Sequence, residues 1–111
     1  MAAKFELKAN AKKQYMFNLK AGNGEVILTS EQYQSKDAAL NGIKSVQTNS
    51  GDDAMYDVRT AKNGQTYFVL LAKNKQVIGR SEMYKSPSGC KRGIASVKRN
   101  GSSTNLSDLT E

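Results

Sequence analysis

Histidine is absent from this 111-residue chain, and with it goes the commonest general base and metal ligand of proteins. A Ser–His–Asp or Cys–His nucleophile arrangement is excluded. One cysteine without histidine also cannot supply the ligands of a structural zinc site. That cysteine, Cys90, can form no intramolecular disulfide and gives no sign of an oxidising compartment. No apolar run has the length needed to cross a bilayer, so no membrane partner is expected. The first eight residues carry charges where a signal peptide needs an apolar centre, which makes the cytoplasm the expected address. Acids are scarce in one stretch: between Arg59 and Arg99, ten basic side chains face only Glu82.

What is present is one motif written twice. Residues 5–49 slide onto the chain 51 positions further on without a gap, and sixteen of the forty-five positions are identical. Phe17, Leu19, Ala21, Val26 and Ile27 fall on Phe68, Leu70, Ala72, Val77 and Ile78. Ser30, Glu31, Tyr33 and Ser35 fall on Ser81, Glu82, Tyr84 and Ser86, and Gly42, Ile43 and Val46 on Gly93, Ile94 and Val97. An ungapped repeat means two copies of one supersecondary unit, most simply placed about a pseudo-twofold axis. About fifty residues would be marginal alone, so the copies are expected to share one core as a single domain over residues 1–111.

Within repeats 4–50 and 55–101 the grammar is β-β-β-α. Phe5–Lys8, Tyr15–Ala21 and Val26–Thr29 alternate as strands, and Gly22-Asn23-Gly24 predicts a tight primed hairpin turn. The period then lengthens to that of a helix. Ser35 is the predicted cap, Ala39, Gly42, Ile43 and Val46 the buried stripe, and Asn49-Ser50-Gly51 the stop. The second copy gives strands over Tyr56–Thr60, Thr66–Ala72 and Val77–Arg80. A helix opens at Ser86-Pro87, is striped by Cys90, Gly93, Ile94 and Val97, and stops at Asn100-Gly101. The fold class is α+β: one antiparallel-type sheet with two helices packed on one face. Residues 102–111 read as a mobile polar tail, although Leu106 and Leu109 would let a short segment join a sheet edge.

The run from Leu19 to Lys36, with its Gly-Asn-Gly-Glu-Val-Ile-Leu-Thr-Ser-Glu core, and the Asn41–Val46 segment resemble the YegP-type family of small, mostly bacterial proteins. The resemblance covers both copies. It implies tandem β3α units in one shared sheet, and it brings no catalytic motif to carry over. Copy two departs from the pattern where Lys73-Asn74-Lys75 replaces Gly22-Asn23-Gly24 and Gly79-Arg80 replaces Leu28-Thr29.

Candidate chemistry is thin, and no catalytic, cofactor or metal site is expected. Cys90 aligns with Ala39 on the buried stripe and reads as packing. Glu31 and Glu82 would form an acid–base pair only if the twofold axis brought them together; the simpler role is support of the strand-to-helix turn. Two surfaces remain. Tyr67, Val69 and Leu71 alternate with core positions and should lie on the open face of the sheet, a candidate contact for a protein partner or a second copy. Arg80, Lys85, Lys91, Arg92, Lys98 and Arg99 form a candidate nucleic-acid surface, the plainer reading being a solubilising one. A non-enzymatic interaction or self-association module is the leading expectation, and nucleic-acid binding the alternative.

Overall fold

The computed structural model describes residues 3–110. Alternating apolar residues set strands β1 (Lys4–Ala9), β2 (Tyr15–Lys20) and β3 (Val26–Ser30) of repeat one, and β4 (Tyr56–Thr60), β5 (Thr66–Leu71) and β6 (Val77–Arg80) of repeat two. Helices α1 (Lys36–Asn49) and α2 (Pro87–Asn100) close the units. Ser35 and Ser86 accept the backbone N–H groups of Ala38 (3.1 Å) and Gly89 (3.2 Å), as the sequence predicts.

The strands make one sheet in the order β4-β5-β6-β3-β2-β1-β7, where β7 is Leu106–Asp108. The repeats meet along β3 and β6, which are antiparallel and pair Thr29 with Arg80. These two residues are each other's counterparts, so the pseudo-twofold axis passes between them. Both helices lie on one face and cross the seam: α1 packs on β2 and β6, and α2 on β5 and β3. Phe5, Leu7, Phe17, Leu19, Leu28, Phe68, Leu70, Val46 and Val97 are all fully buried in one cluster. Ile43 is buried and Ile94 half-buried against it. Hiding that many large side chains stabilises by roughly 1.5–3 kcal/mol each before entropy is counted, and neither repeat could do it alone.

The axis explains two glycines. On the helix side, the C-caps Ser50 and Gly101 are counterparts and touch; a Cβ on Gly101 would collide with the Ser50 side chain. Gly101 therefore serves a close approach of helix ends, not a left-handed turn, since its φ is −67°. On the sheet, Gly79 replaces Leu28 because Leu28 already fills both sides of the axis. A Cβ at 79 would lie 2.8 Å from the Thr29 carbonyl and 3.1 Å from Leu28 Cγ.

Three expectations are corrected. The Gly22–Gly24 turn is not primed: only Gly24 has positive φ (87°), and its N–H bonds the Ala21 carbonyl at 2.9 Å. That is an ordinary turn closed by one left-handed residue. Lys75 takes the same place in copy two at φ 68°. The tail is not loose over its middle, because β7 pairs with β1 in parallel and makes the sheet mixed rather than wholly antiparallel. Polar contacts that hydropathy does not register hold it there. Ser103 Oγ donates to the Ala3 carbonyl at 2.7 Å, Leu109 N–H to the Leu7 carbonyl at 2.9 Å, and Lys36 Nζ lies 2.6 Å from Asp108.

Candidate binding surface on the open sheet face

Strand register puts Ser107, Glu6, Asn18, Thr29, Arg80, Val69 and Asp57 side by side across the face that the helices leave uncovered. The 51-residue offset maps Glu6, Asn18 and Thr29 onto Asp57, Val69 and Arg80. One row thus reads outward from the axis in both directions, and its halves differ in chemistry.

The half in repeat one is polar. Glu6, buried in the sheet surface, has Lys20 Nζ at 3.0 Å, Lys4 at 3.6 Å and Lys8 at 3.9 Å. The Lys20 hydrogen bond, aided by the lysine charges and opposed by burial, holds its carboxyl below the usual range. Asn18 Nδ2 donates to Thr29 Oγ1 at 3.0 Å. In repeat two Val69 stands where Asn18 does, flanked by Tyr67 and Leu71 in the places of Met16 and Lys20. Asp57 is exposed and pairs with Arg59 at 3.1 Å.

The three candidate contact residues therefore do share the open face, but unequally. Val69 is 3% exposed, closed over by its neighbours, while Tyr67 and Leu71 are half-buried. Met83, 48% exposed, holds the place that Gln32 occupies beside Met16 in repeat one. The basic candidates do not form one surface. Arg80 is exposed on the open face, paired in register with Val69 and Thr29, whereas Lys91, Arg92, Lys98 and Arg99 ride on α2 in the opposite layer. Lys98 Nζ is held 2.7 Å from Asp53, and Lys85 is exposed before α2. Alternation along each strand forecast the faces. It puts Glu6 on the open face but does not show the ring of lysines around it, because Lys20 reaches Glu6 from the neighbouring strand and only the β1–β2 register brings them together.

The side chains weighed for chemistry lie apart or pack into the frame. Glu31 and Glu82 are exposed and lie on opposite sides of the Thr29–Arg80 crossing, about 13 Å of strand apart, too far to share a proton. Ser30 Oγ accepts the Phe17 N–H at 2.8 Å and donates to the Glu31 carbonyl at 2.8 Å. Ser81 does the same for Phe68 and Glu82 at 3.0 and 2.8 Å. Tyr33 and Tyr84 stack on Phe17 and Phe68 with rings 9° and 8° from parallel, their hydroxyls against Gly42 and Gly93. Burial pushes both hydroxyls up, so they stay protonated at neutral pH. Cys90 is 1% exposed with its thiol also pushed up by burial. Among the described residues no group of three or more His, Cys, Asp or Glu side chains is placed to hold a metal, and no helix is long and apolar enough to cross a membrane.

A single sheet made of two β-β-β-α units about one axis, with helices on one side only, defines a duplicated α+β protein with conserved frame and altered open face. Comparison with known proteins agrees. The family profile described as a domain of unknown function, DUF1508, matches residues 5–57 and again 61–108. The UPF0339 protein YegP of Yersinia pestis is 55% identical over 106 residues, covering 96% of this chain and 95% of that protein. A UPF0339 protein of Pasteurella multocida is 56% identical over 96% of this chain and 93% of its own. The solution structure of a UPF0339 protein from Shewanella oneidensis superposes with a TM-score of 0.93 at 52% identity, covering 99% of this chain and 93% of that one. The solution structure of YegP from E. coli does so with 0.93 at 51%, covering 99% and 95%. The chain belongs to the DUF1508, or UPF0339, family, whose function is not known, and the resemblance to YegP-type proteins is borne out.

Proposed function

We propose that the chain is a non-enzymatic protein-interaction module whose contact surface is the repeat-two half of the open sheet face. The supporting observation is internal to the molecule. Tyr67, Val69 and Leu71 occupy the places of Met16, Asn18 and Lys20 on the same kind of strand in the same layer, so the frame itself does not demand apolar side chains there. An uncovered antiparallel face is ordinarily polar, and an apolar departure from that marks a contact. Arg59 and Arg80 flank the patch, which suits a partner offering an apolar side chain beside an acid. The expected address is the cytoplasm, which cell fractionation tests.

The direct experiment returns repeat two to repeat-one chemistry: Tyr67→Met and Leu71→Lys together, with Val69 kept because it is buried. Proteins captured from a bacterial lysate by the unaltered chain should be lost by this variant at unchanged circular dichroism. Equal capture by both refutes the surface.

One observation favours a second reading. Lys91, Arg92 and Arg99 are exposed on α2, in a stretch nearly free of acids, as a phosphate-binding surface requires. Oligonucleotide titration at low and raised salt tests it. Binding that falls steeply with salt and is abolished by Lys91→Glu with Arg92→Glu supports it, and no binding ends it.

A further inference from the structure

The two ends of the sheet are counterparts treated differently. At one end β7 covers β1, and Phe5 and Leu7 are fully buried. At the other, β4 is the terminal strand, and Val58, the counterpart of Leu7, is 53% exposed. In β1 the Phe5 N–H and the Leu7 carbonyl point outward to β7. By the same alternation Val58 and Thr60 turn their backbone groups away from β5. Tyr56 has its N–H engaged with Asp53 O and keeps its carbonyl outward. Neither a proline nor a bulge blunts this edge, and its two charged side chains, Asp57 and Arg59, are of opposite sign.

We infer that β4 is a self-association edge that pairs antiparallel with β4 of a second copy, joining two sheets about a twofold axis through Val58. The strand is self-complementary in that register. Val58 faces Val58 of the second copy, each N–H donating to the other's carbonyl, and Thr60 N–H meets the Tyr56 carbonyl on both sides. Asp57 falls opposite Arg59 of the second copy and Arg59 opposite its Asp57, all on the open face, where like charges would repel. The intrachain Asp57–Arg59 pair, exposed on both sides, yields two cross-strand pairs in its place. This surface is an edge that borders the face assigned to a protein partner and shares Arg59 with it, but it does not use Tyr67 or Leu71. A five-residue strand buries less than the standard interface of about 800 Å² per partner, so the dimer is concentration-dependent rather than permanent.

The test is sedimentation equilibrium on the full chain over a wide concentration range with two charge reversals. Asp57→Arg alone sets arginine against arginine, and Arg59→Asp alone sets aspartate against aspartate. Each should remain monomeric at concentrations where the unaltered chain dimerises. Their equimolar mixture should recover the dimer, because every cross pair is then opposite in charge. Leu71→Lys, on the face, should leave the dimer unchanged. A chain that stays monomeric throughout overturns the inference. So does a dimer that survives both single reversals, since it uses another surface. If the chain is monomeric but a peptide of residues 103–110 shifts the amide resonances of Tyr56–Thr60, the edge takes an extended peptide and the pairing inferred here is wrong.

Discussion

Exchanging Ser50 and Gly101 is the sharpest perturbation of the seam, because each occupies the other's place across the pseudo-twofold axis. Their backbones are nearly the same, φ −63°, ψ −23° against φ −67°, ψ −18°, and each N–H bonds the valine four residues before it, at 2.9 and 2.7 Å. Gly101→Ser alone drives a second side chain into Ser50, in a site where Ser50 is 1% exposed. Overpacking of this kind costs about 1–3 kcal/mol, and losing a glycine from the unfolded chain returns only about 0.4–1 kcal/mol. The steric term wins, for a net loss of roughly 1–2 kcal/mol, or several degrees in Tm. Ser50→Gly alone costs less, on the order of 0.5–1 kcal/mol, chiefly through the unfolded state. The double exchange keeps one side chain and one gap at the axis, so its stability should return to within about 0.5 kcal/mol of the unaltered chain. Urea unfolding at constant m-value reads all four forms. A Gly101→Ser chain as stable as the original, or a double variant no better than the single, would show that the helix ends do not meet as described.

Further expectations follow from the same geometry. Gly93→Ala should destabilise by about 1–2 kcal/mol despite alanine's helix preference of about 1 kcal/mol, since the new Cβ collides with the Tyr84 hydroxyl and lies 3.1 Å from Phe68 Cε2. Gly51→Ala, with open space around it, should be neutral or stabilising in the same thermal melt. Lys75→Gly should stabilise by up to about 1 kcal/mol, because a lysine at φ 68° pays the left-handed penalty that Gly24 avoids; a loss in urea unfolding contradicts this. Asp108 is held down at about 2 by its hydrogen bonds with Lys36 and Thr110. A depressed carboxyl contributes stability above its unfolded pKa and loses it as pH falls through the folded value. Amide resonances of β7 should therefore titrate near pH 2 rather than near 4, and Asp108→Asn should abolish that step.

Much of the frame was legible because the repeat reports each element twice. Tyr15-x-Phe17-x-Leu19 and Thr66-x-Phe68-x-Leu70 fix the same buried face independently, and the stripes of Ala39/Cys90, Gly42/Gly93 and Val46/Val97 fix the helices. The departures between copies were visible, but their cause was not. That Gly79 makes room for Leu28, or Gly101 for Ser50, depends on which residues sit on the axis, and only the β3–β6 register sets that. β7 was legible only as an alternative, from Leu106 and Leu109, because hydropathy does not register backbone pairing or the Ser103, Asn105 and Asp108 contacts that dock it. On the candidate surface, alternation placed Tyr67, Val69 and Leu71 correctly on one face. It could not show that Val69 would be closed over, or that Arg80 and the α2 cations would be parted by the whole core.

The assignment of faces and edges rests on both repeats folding as one unit with a common interior. Native-state hydrogen exchange resolved by residue tests this directly, comparing the amides of Phe17 and Leu19 with those of Phe68 and Leu70. All four should open with the same free energy, equal to that of global unfolding measured in urea. If one repeat exchanged through a smaller opening while the other stayed protected, the halves would be separate folding units and the shared core would be contradicted.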